Sequence, residues 1–157
     1  PRIIKTNGLA QQLTYIVNLL KDKGFGEVGV IVHSESMRNK IYNKLTHQLR
    51  GQYRVQTYSN KMKKEHPVED LVFDSKGTVT VLNRQSCKGL EFDAVFIPEL
   101  QTYSVDGSNE TGFKMNMYVM CSRARLDLTL LYTSGAGEPS FLEYLPPSNE
   151  ELEYING

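Results

Sequence analysis

The run Val28-Gly29-Val30-Ile31-Val32 restricts the fold of this chain more than any other feature. It is continuously apolar and β-branched at four of its five positions, with none of the alternation that marks a strand with one wet face. Such a run belongs to a strand covered on both sides, as happens where helices pack on the two faces of a parallel sheet. The flanks agree with that reading. Leu9, Leu13, Ile16, Val17 and Leu20 recur at helical spacing before it, and Gly24 is the expected C-cap. After it, His33-Ser34-Glu35-Ser36 supplies capping side chains for a second helix carrying Met37, Ile41, Leu45 and Leu49.

Further strands are expected at Arg54-Val55-Gln56-Thr57-Tyr58, at Thr78-Val79-Thr80-Val81-Leu82, at Ala94-Val95-Phe96-Ile97 before Pro98, and at residues 128–132. Residues 60–74 read as a loop with a helical turn, and residues 100–112 as a polar, mobile loop. Met115, Tyr118, Val119, Ser122 and Leu126 read as one side of a helix. Gly135-Ala136-Gly137 reads as a turn and residues 140–145 as a helical turn. Alternating strands and helices predict an α/β fold, a mostly parallel sheet with helices on both faces. The domain is expected to span residues 1–145, followed by a polar, acidic tail at 146–157.

Composition narrows the classes. The 157 residues are 39% hydrophobic, too apolar for a disordered chain and enough for one compact domain. No run of about 18 uncharged apolar residues occurs, and the start has neither the length nor the shape of a signal peptide. The missing initiator Met suggests a piece of a longer protein. Eighteen basic and 18 acidic side chains cancel, which argues against a diffuse basic field for polyanions while leaving local clusters open. Lys61, Lys63 and Lys64 with Arg50 and Arg54 are one such cluster, equally readable as a solvated face. Cys87 and Cys121 are too few for a disulfide framework, and His33, His47 and His66 form no metal set, so no metal site is expected. A cytoplasmic, reducing setting is the expectation.

In such sheets ligands gather at the C-terminal ends of strands, which directs attention to the segments that follow them. Asn83-Arg84-Gln85-Ser86-Cys87-Lys88-Gly89-Leu90-Glu91-Phe92-Asp93 is the densest. A lysine beside a glycine turn can present a cation and backbone N–H groups to a phosphate, and Glu91 can accept from ribose hydroxyls. By residue type alone a solvated turn is the simpler reading. Tyr118-Val119-Met120-Cys121-Ser122-Arg123-Ala124-Arg125 is the second. Read as continuous helix, it sets Arg123 and Arg125 about 160° apart, so one guanidinium can reach a phosphate while the other makes a surface ion pair.

Taken together the two segments say more. Ser86-Cys87-Lys88-Gly89-Leu90-Glu91-Phe92-Asp93 resembles motif V of superfamily 1 helicases of the UvrD/Rep/PcrA kind. Tyr118 to Arg125 resembles their motif VI, in the same order, and the segment from Val30 to Leu45 is similar to their motif IVa. The resemblance covers residues 8–134. It implies the second, C-terminal RecA-like motor domain, a P-loop-NTPase-like fold that here carries no P-loop, since no G-x-x-x-x-G-K-[ST] occurs.

The resemblance implies roles for particular residues. Arg123 falls on the motif VI arginine finger, which neutralises charge developing on the γ-phosphate of ATP. Lys88 and Gly89 fall on the turn near the phosphates, and Glu91 near the ribose. Gln85, Ser86 and Ser34 are expected to contact single-stranded DNA. Gln85 stands where the family often has histidine, and the motif IV arginine is expected upstream of Pro1. ATP and Mg²⁺ belong to the full-length protein, with the metal ligands on an N-terminal RecA-like domain of the same polypeptide. The isolated chain is expected to be a monomer without ATPase activity. An interaction module without a motor role is the alternative, and a flavodoxin-like or Rossmann-like ligand domain is weakened by the lack of G-x-G-x-x-G.

Overall fold

The computed structural model describes residues 1–58, 77–135, 137–147 and 150–157 of the protein. Among these, seven strands form one sheet: β1 (Arg2–Thr6), β2 (Glu27–Val32), β3 (Arg54–Tyr58), β4 (Thr78–Asn83), β5 (Phe92–Ile97), β6 (Ala124–Thr133) and β7 (Glu153–Asn156). Their order is β3-β4-β2-β5-β6-β1-β7, and every neighbouring pair is parallel. Helices α1 (Leu9–Lys23) and α2 (Glu35–Gln48) cover one face. Helix α3 (Glu110–Cys121) and the short 3-10 turns Leu100–Thr102 and Ser140–Tyr144 cover the other.

The apolar run behaves as its pattern demands. Val28, Val30 and Val32 enter the core beneath α1 and α2 with Leu13, Ile16, Leu20, Ile41 and Leu45. Ile31 points the other way, into the core beneath α3 with Phe113, Met117 and Met120. Gly29 shares the α3 face, where a Cβ would lie 2.6 Å from Cδ2 of Phe92. A register shift between Phe92 and Ala94 turns the Phe92 ring onto that face, so glycine is what the close approach requires. The two expected caps are present. Gly24 is left-handed with its N–H on the Leu20 carbonyl, and Ser34 Oγ accepts from the Met37 N–H at 3.3 Å.

Four expectations change. The segment 2–6, not assigned from sequence, is a strand in the interior of the sheet between β6 and β7, with Ile3 and Ile4 in opposite cores. The segment read as a polar tail contributes β7, paired with β1, and buries Leu152. The stretch 100–112 is packed, with Leu100, Tyr103 and Val105 buried, and α3 begins within it at Glu110. Helix α3 stops at Cys121, and the face it buries carries Phe113, Met117 and Met120. Met115, Tyr118 and Leu126, placed from sequence on the apolar side, are instead exposed, and Leu126 lies on β6. Residues 60–74, including Lys61, Lys63, Lys64 and His66, and Ala136 of the expected turn lie outside the described residues.

The connections decide where a ligand can enter. From β1 to β2 to β3 the chain steps toward one edge over the face of α1 and α2. From β4 to β5 to β6 to β7 it steps toward the other edge over the face of α3. Strand β2 lies between β4 and β5, so the chain leaving β2 and the chains leaving its two neighbours depart over opposite faces. That divergence opens a crevice at their C-terminal ends.

Candidate functional site

The crossover from β4 to β5 carries most of the expected residues. After β4 a 3-10 turn, Arg84–Ser86, leads to Cys87, which is buried and donates its thiol to the Arg84 carbonyl at 3.0 Å. The Cys87 carbonyl then accepts from the Leu90 N–H at 3.1 Å, making Lys88 and Gly89 the central pair of a turn. Gly89 has φ 83°, the left-handed value required at the third position of a type II turn. A Cβ there would meet nothing within 4 Å, so the backbone and not space selects glycine. Lys88, Gly89 and Glu91 are exposed.

The end of α3 meets this crossover. Ser122 and Arg123 form a turn, and the Arg123 carbonyl accepts from the Phe92 N–H at 2.8 Å. The guanidinium is tied down as well. Its Nε donates to the Val119 carbonyl at 2.9 Å, Nη1 to the Leu90 carbonyl at 3.3 Å, and Nη2 to Ser122 Oγ at 2.8 Å. A guanidinium has five N–H donors, so two remain without an acceptor among the described residues. No carboxylate among these residues pairs with it. Arg123 is therefore a half-buried, oriented and uncompensated cation, which is what an anion site needs.

Arg125 is different. It lies on β6 and not on a helix, and it pairs with Glu27 at 2.6 Å and Asp93 at 2.9 Å. The helical reading of residues 118–125 is thereby replaced by helix, turn and strand, although the ion pair it allowed is present. The Glu27 N–H and Arg125 hold the Asp93 carboxyl below its ordinary pKa.

The expected site residues fall into two groups. Arg123, Lys88, Gly89 and Glu91 share the region where the crossover meets the end of α3, near the N-terminal ends of β5 and β6. Gln85, Ser86 and Ser34 lie at the C-terminal ends of β4 and β2. Ser34 is six residues beyond Val28, which pairs with Ala94 near the start of β5, so Ser34 lies roughly 20 Å from that end of β5 at about 3.3 Å per residue, whereas Gln85 and Ser86 stand on the same crossover just before Lys88. Gln85 is exposed, Ser86 is buried, and the hydroxyl of Ser34 is engaged as a helix cap.

Reading by sequence missed a second polar cluster. Glu99, buried and left-handed at φ 55°, accepts from Gln12 at 3.0 Å and Thr133 at 2.9 Å while its own N–H donates to Gln12. Its hydrogen-bonding is met within the fold, and it joins the ends of β5 and β6 to α1. A glutamate two residues past the end of an apolar strand, after Pro98, was the available signal. Burial raises the Cys87 pKa and pushes that of Cys121 to about 12, which disfavours the thiolate that a nucleophile needs. No helix among the described residues is long and apolar enough to cross a membrane.

Comparisons with known proteins place the fold. No family model matches the chain, and no curated protein matches it in sequence. Solved structures do. The C-terminal domain of a possible DNA helicase from Lactobacillus plantarum WCFS1 superposes with a TM-score of 0.67 at 18% identity, covering 98% of this chain and 84% of that one. A hypothetical ATP-dependent RNA helicase from Sulfolobus tokodaii gives 0.66 at 11% identity, over 99% of this chain and 48% of that one. The C-terminal domain of the DEAD-box protein Dbp5 gives 0.62 at 12% identity, over 99% and 88%. The chain thus has the α/β RecA-like fold, the fold of helicase C-terminal domains.

Proposed function

We propose that this chain is the second RecA-like motor domain of an ATP-dependent helicase or translocase of the superfamily 1 UvrD/Rep/PcrA kind, acting on DNA. The observation that carries the reading is Arg123, a cation fixed by three hydrogen bonds with two donors unspent, clamped to the crossover that carries Lys88, Gly89 and Glu91. These residues fit one half of a nucleotide site. A P-loop would come from an N-terminal RecA-like domain of the same polypeptide, together with the ligands of Mg²⁺.

ATP bound there supplies the phosphoryl group whose transfer to water drives the motor. Arg123 would meet the charge that develops on the transferring group. Because Val119 and Leu90 already orient the guanidinium, little reorganisation would accompany that step. Lys88 would face the phosphates and Glu91 the ribose hydroxyls. Arg123 bonds the crossover through both its carbonyl and its side chain, so a shift of the guanidinium would be felt by the whole segment between β4 and β5. Gln85, Ser86 and Ser34, which follow β4 and β2, would contact the single strand. The motif V and VI resemblance supports DNA over RNA.

The test is hydrolysis in a polypeptide that joins this chain to its P-loop domain. Arg123→Ala is expected to leave ATP binding intact and lower kcat by about 10³ or more. Arg123→Lys should recover little, because an ammonium lacks the planar fork. Single-stranded DNA should stimulate the turnover and RNA should not. The 157-residue chain alone should show no ATPase activity. Unchanged turnover in Arg123→Ala refutes the finger.

A further inference from the structure

Where β5 and β6 begin, the ladder between them is out of step. Phe92 pairs with Ala124 and Ala94 with Asp127, so Asp93 alone stands opposite both Arg125 and Leu126. Strand β6 therefore carries one residue more than β5 at this point, a bulge of the kind that re-aims neighbouring side chains. It opens two residues after Arg123, whose carbonyl accepts from the N–H of Phe92, the residue before Asp93. The Arg123 turn thus lies between the end of α3 and an irregular pairing that the ladder alone does not fix.

Side chains fix it instead. Nη2 of Arg125 donates to Asp93 Oδ1 at 2.9 Å and to Glu27 Oε2 at 2.6 Å. The extra residue of β6 is thereby tied both to the residue it faces and to the start of β2. The other carboxylate oxygen of Asp93 accepts from the Glu27 N–H at 3.0 Å. The carbonyl of Gly26 in turn accepts from the N–H groups of Gly77 and Thr78, which extends the lacing to β4. The ion pair itself adds little stability, because the Arg125 side chain is 45% exposed and solvent screens it. Its geometry matters more. A guanidinium gripped by two carboxylates from two other strands holds the bulge in one conformation.

We propose that Asp93 is a positioning residue for the arginine finger: by holding Arg125 across the bulge together with Glu27, it sets the turn from which the Arg123 guanidinium reaches Val119 and Leu90. The proposal rests on the motor reading for the role of Arg123. Asp93 and Arg125 touch no phosphate in it; they act through the backbone of residues 122–124. Releasing the bulge frees that turn, and the guanidinium loses the aim that its Nε and Nη1 bonds give it. A displacement of about 1 Å at a reacting group can cost about 100-fold in rate.

Two measurements test the assignment. In the polypeptide joined to its P-loop domain, Asp93→Asn and Arg125→Gln should each lower kcat for ATP hydrolysis about tenfold or more and leave KM for ATP within about twofold. The double variant should lose no more than the worse single one, because either substitution opens the same bracket. Arg125→Gln keeps the test open if Asp93→Asn fails to fold. Asp127→Asn is the control: it breaks the ion pair with Arg2, which is also 2.6 Å long and also on β6 but past the bulge, and should lower stability without changing kcat. In the 157-residue chain, the Nε–Hε resonance of Arg123, held by the Val119 carbonyl, should exchange slowly with water. Exchange should quicken in Asp93→Asn and Arg125→Gln but not in Asp127→Asn. The proposal is overturned if both bracket variants keep the slow resonance and full kcat, or if Asp127→Asn matches their losses. If Arg123→Ala leaves turnover unchanged, the motor reading fails; if Arg123→Ala abolishes turnover and the bracket variants do not lower it, this proposal alone fails.

Discussion

Gly29 and Phe92 show how one absent side chain positions a site. Phe92 opens β5 directly after the crossover, and its N–H is the backbone bond to Arg123. The ring is fully buried over Gly29, where a methyl group would stand 2.6 Å from the ring carbon. Gly29→Ala is expected to cost about 1–3 kcal/mol through overpacking, read as a lower urea midpoint with an unchanged slope. Gly89→Ala is a different case. The space is open, so the cost is that of a left-handed alanine, about 1–2 kcal/mol, localised to the turn at Lys88. The sequence marked both glycines by position. It gave no sign that one answers to a ring from another strand and the other to its own φ.

Helix α3 and strand β6 show why the segment around Arg123 reads as continuous helix from its sequence. Over residues 115–126 a helical period and a strand period select overlapping apolar positions, so the chain reads equally well as continuous helix. The structure ends the helix at Cys121, because the backbone from Ala124 onward pairs with β5. That pairing is long-range and leaves no local mark. The same holds at the chain's end, where residues 150–157 are rich in acidic and polar side chains yet β7 is held by its partner β1. Ending the chain after residue 151 removes β7 and the buried Leu152. The expected loss is at least the roughly 2–5 kcal/mol of a leucine truncation, with an exposed β1 edge that promotes association. Urea unfolding and light scattering would measure the two effects.

The whole molecule carries no net charge, yet its charges are sorted by place. Arg125 is neutralised by Glu27 and Asp93 at the N-terminal ends of the strands, whereas Arg123 has no acidic partner among the described residues. Neutrality is therefore compatible with meeting a phosphate through one placed cation. The Asp93 group also sets a pH dependence. Its pKa is depressed in the folded state, chiefly by the Glu27 N–H, so its contribution is complete above the unfolded value near 3.9 and is lost as pH falls through the folded pKa. Asp93→Asn should be less stable at neutral pH and lose less on acidification, so the two stability curves converge at low pH. Parallel curves between pH 6 and 2 would show that Asp93 makes no such contribution.

Local order was legible in the residues themselves. The buried strand at 28–32, the Gly24 and Ser34 caps, the α/β class and the turn at Lys88 and Gly89 all depend on neighbours within a few positions. Folding alone decided the rest. The place of β1 and β7, the end of α3, the clamp of Arg123 on Leu90 and the hold of Asp93 on Arg125 each join residues far apart in the chain. Periodicity records which face of an element is buried, but not which distant element will cover it. The parallel sheet made that choice, because its crossovers fix which loops share an end of the molecule.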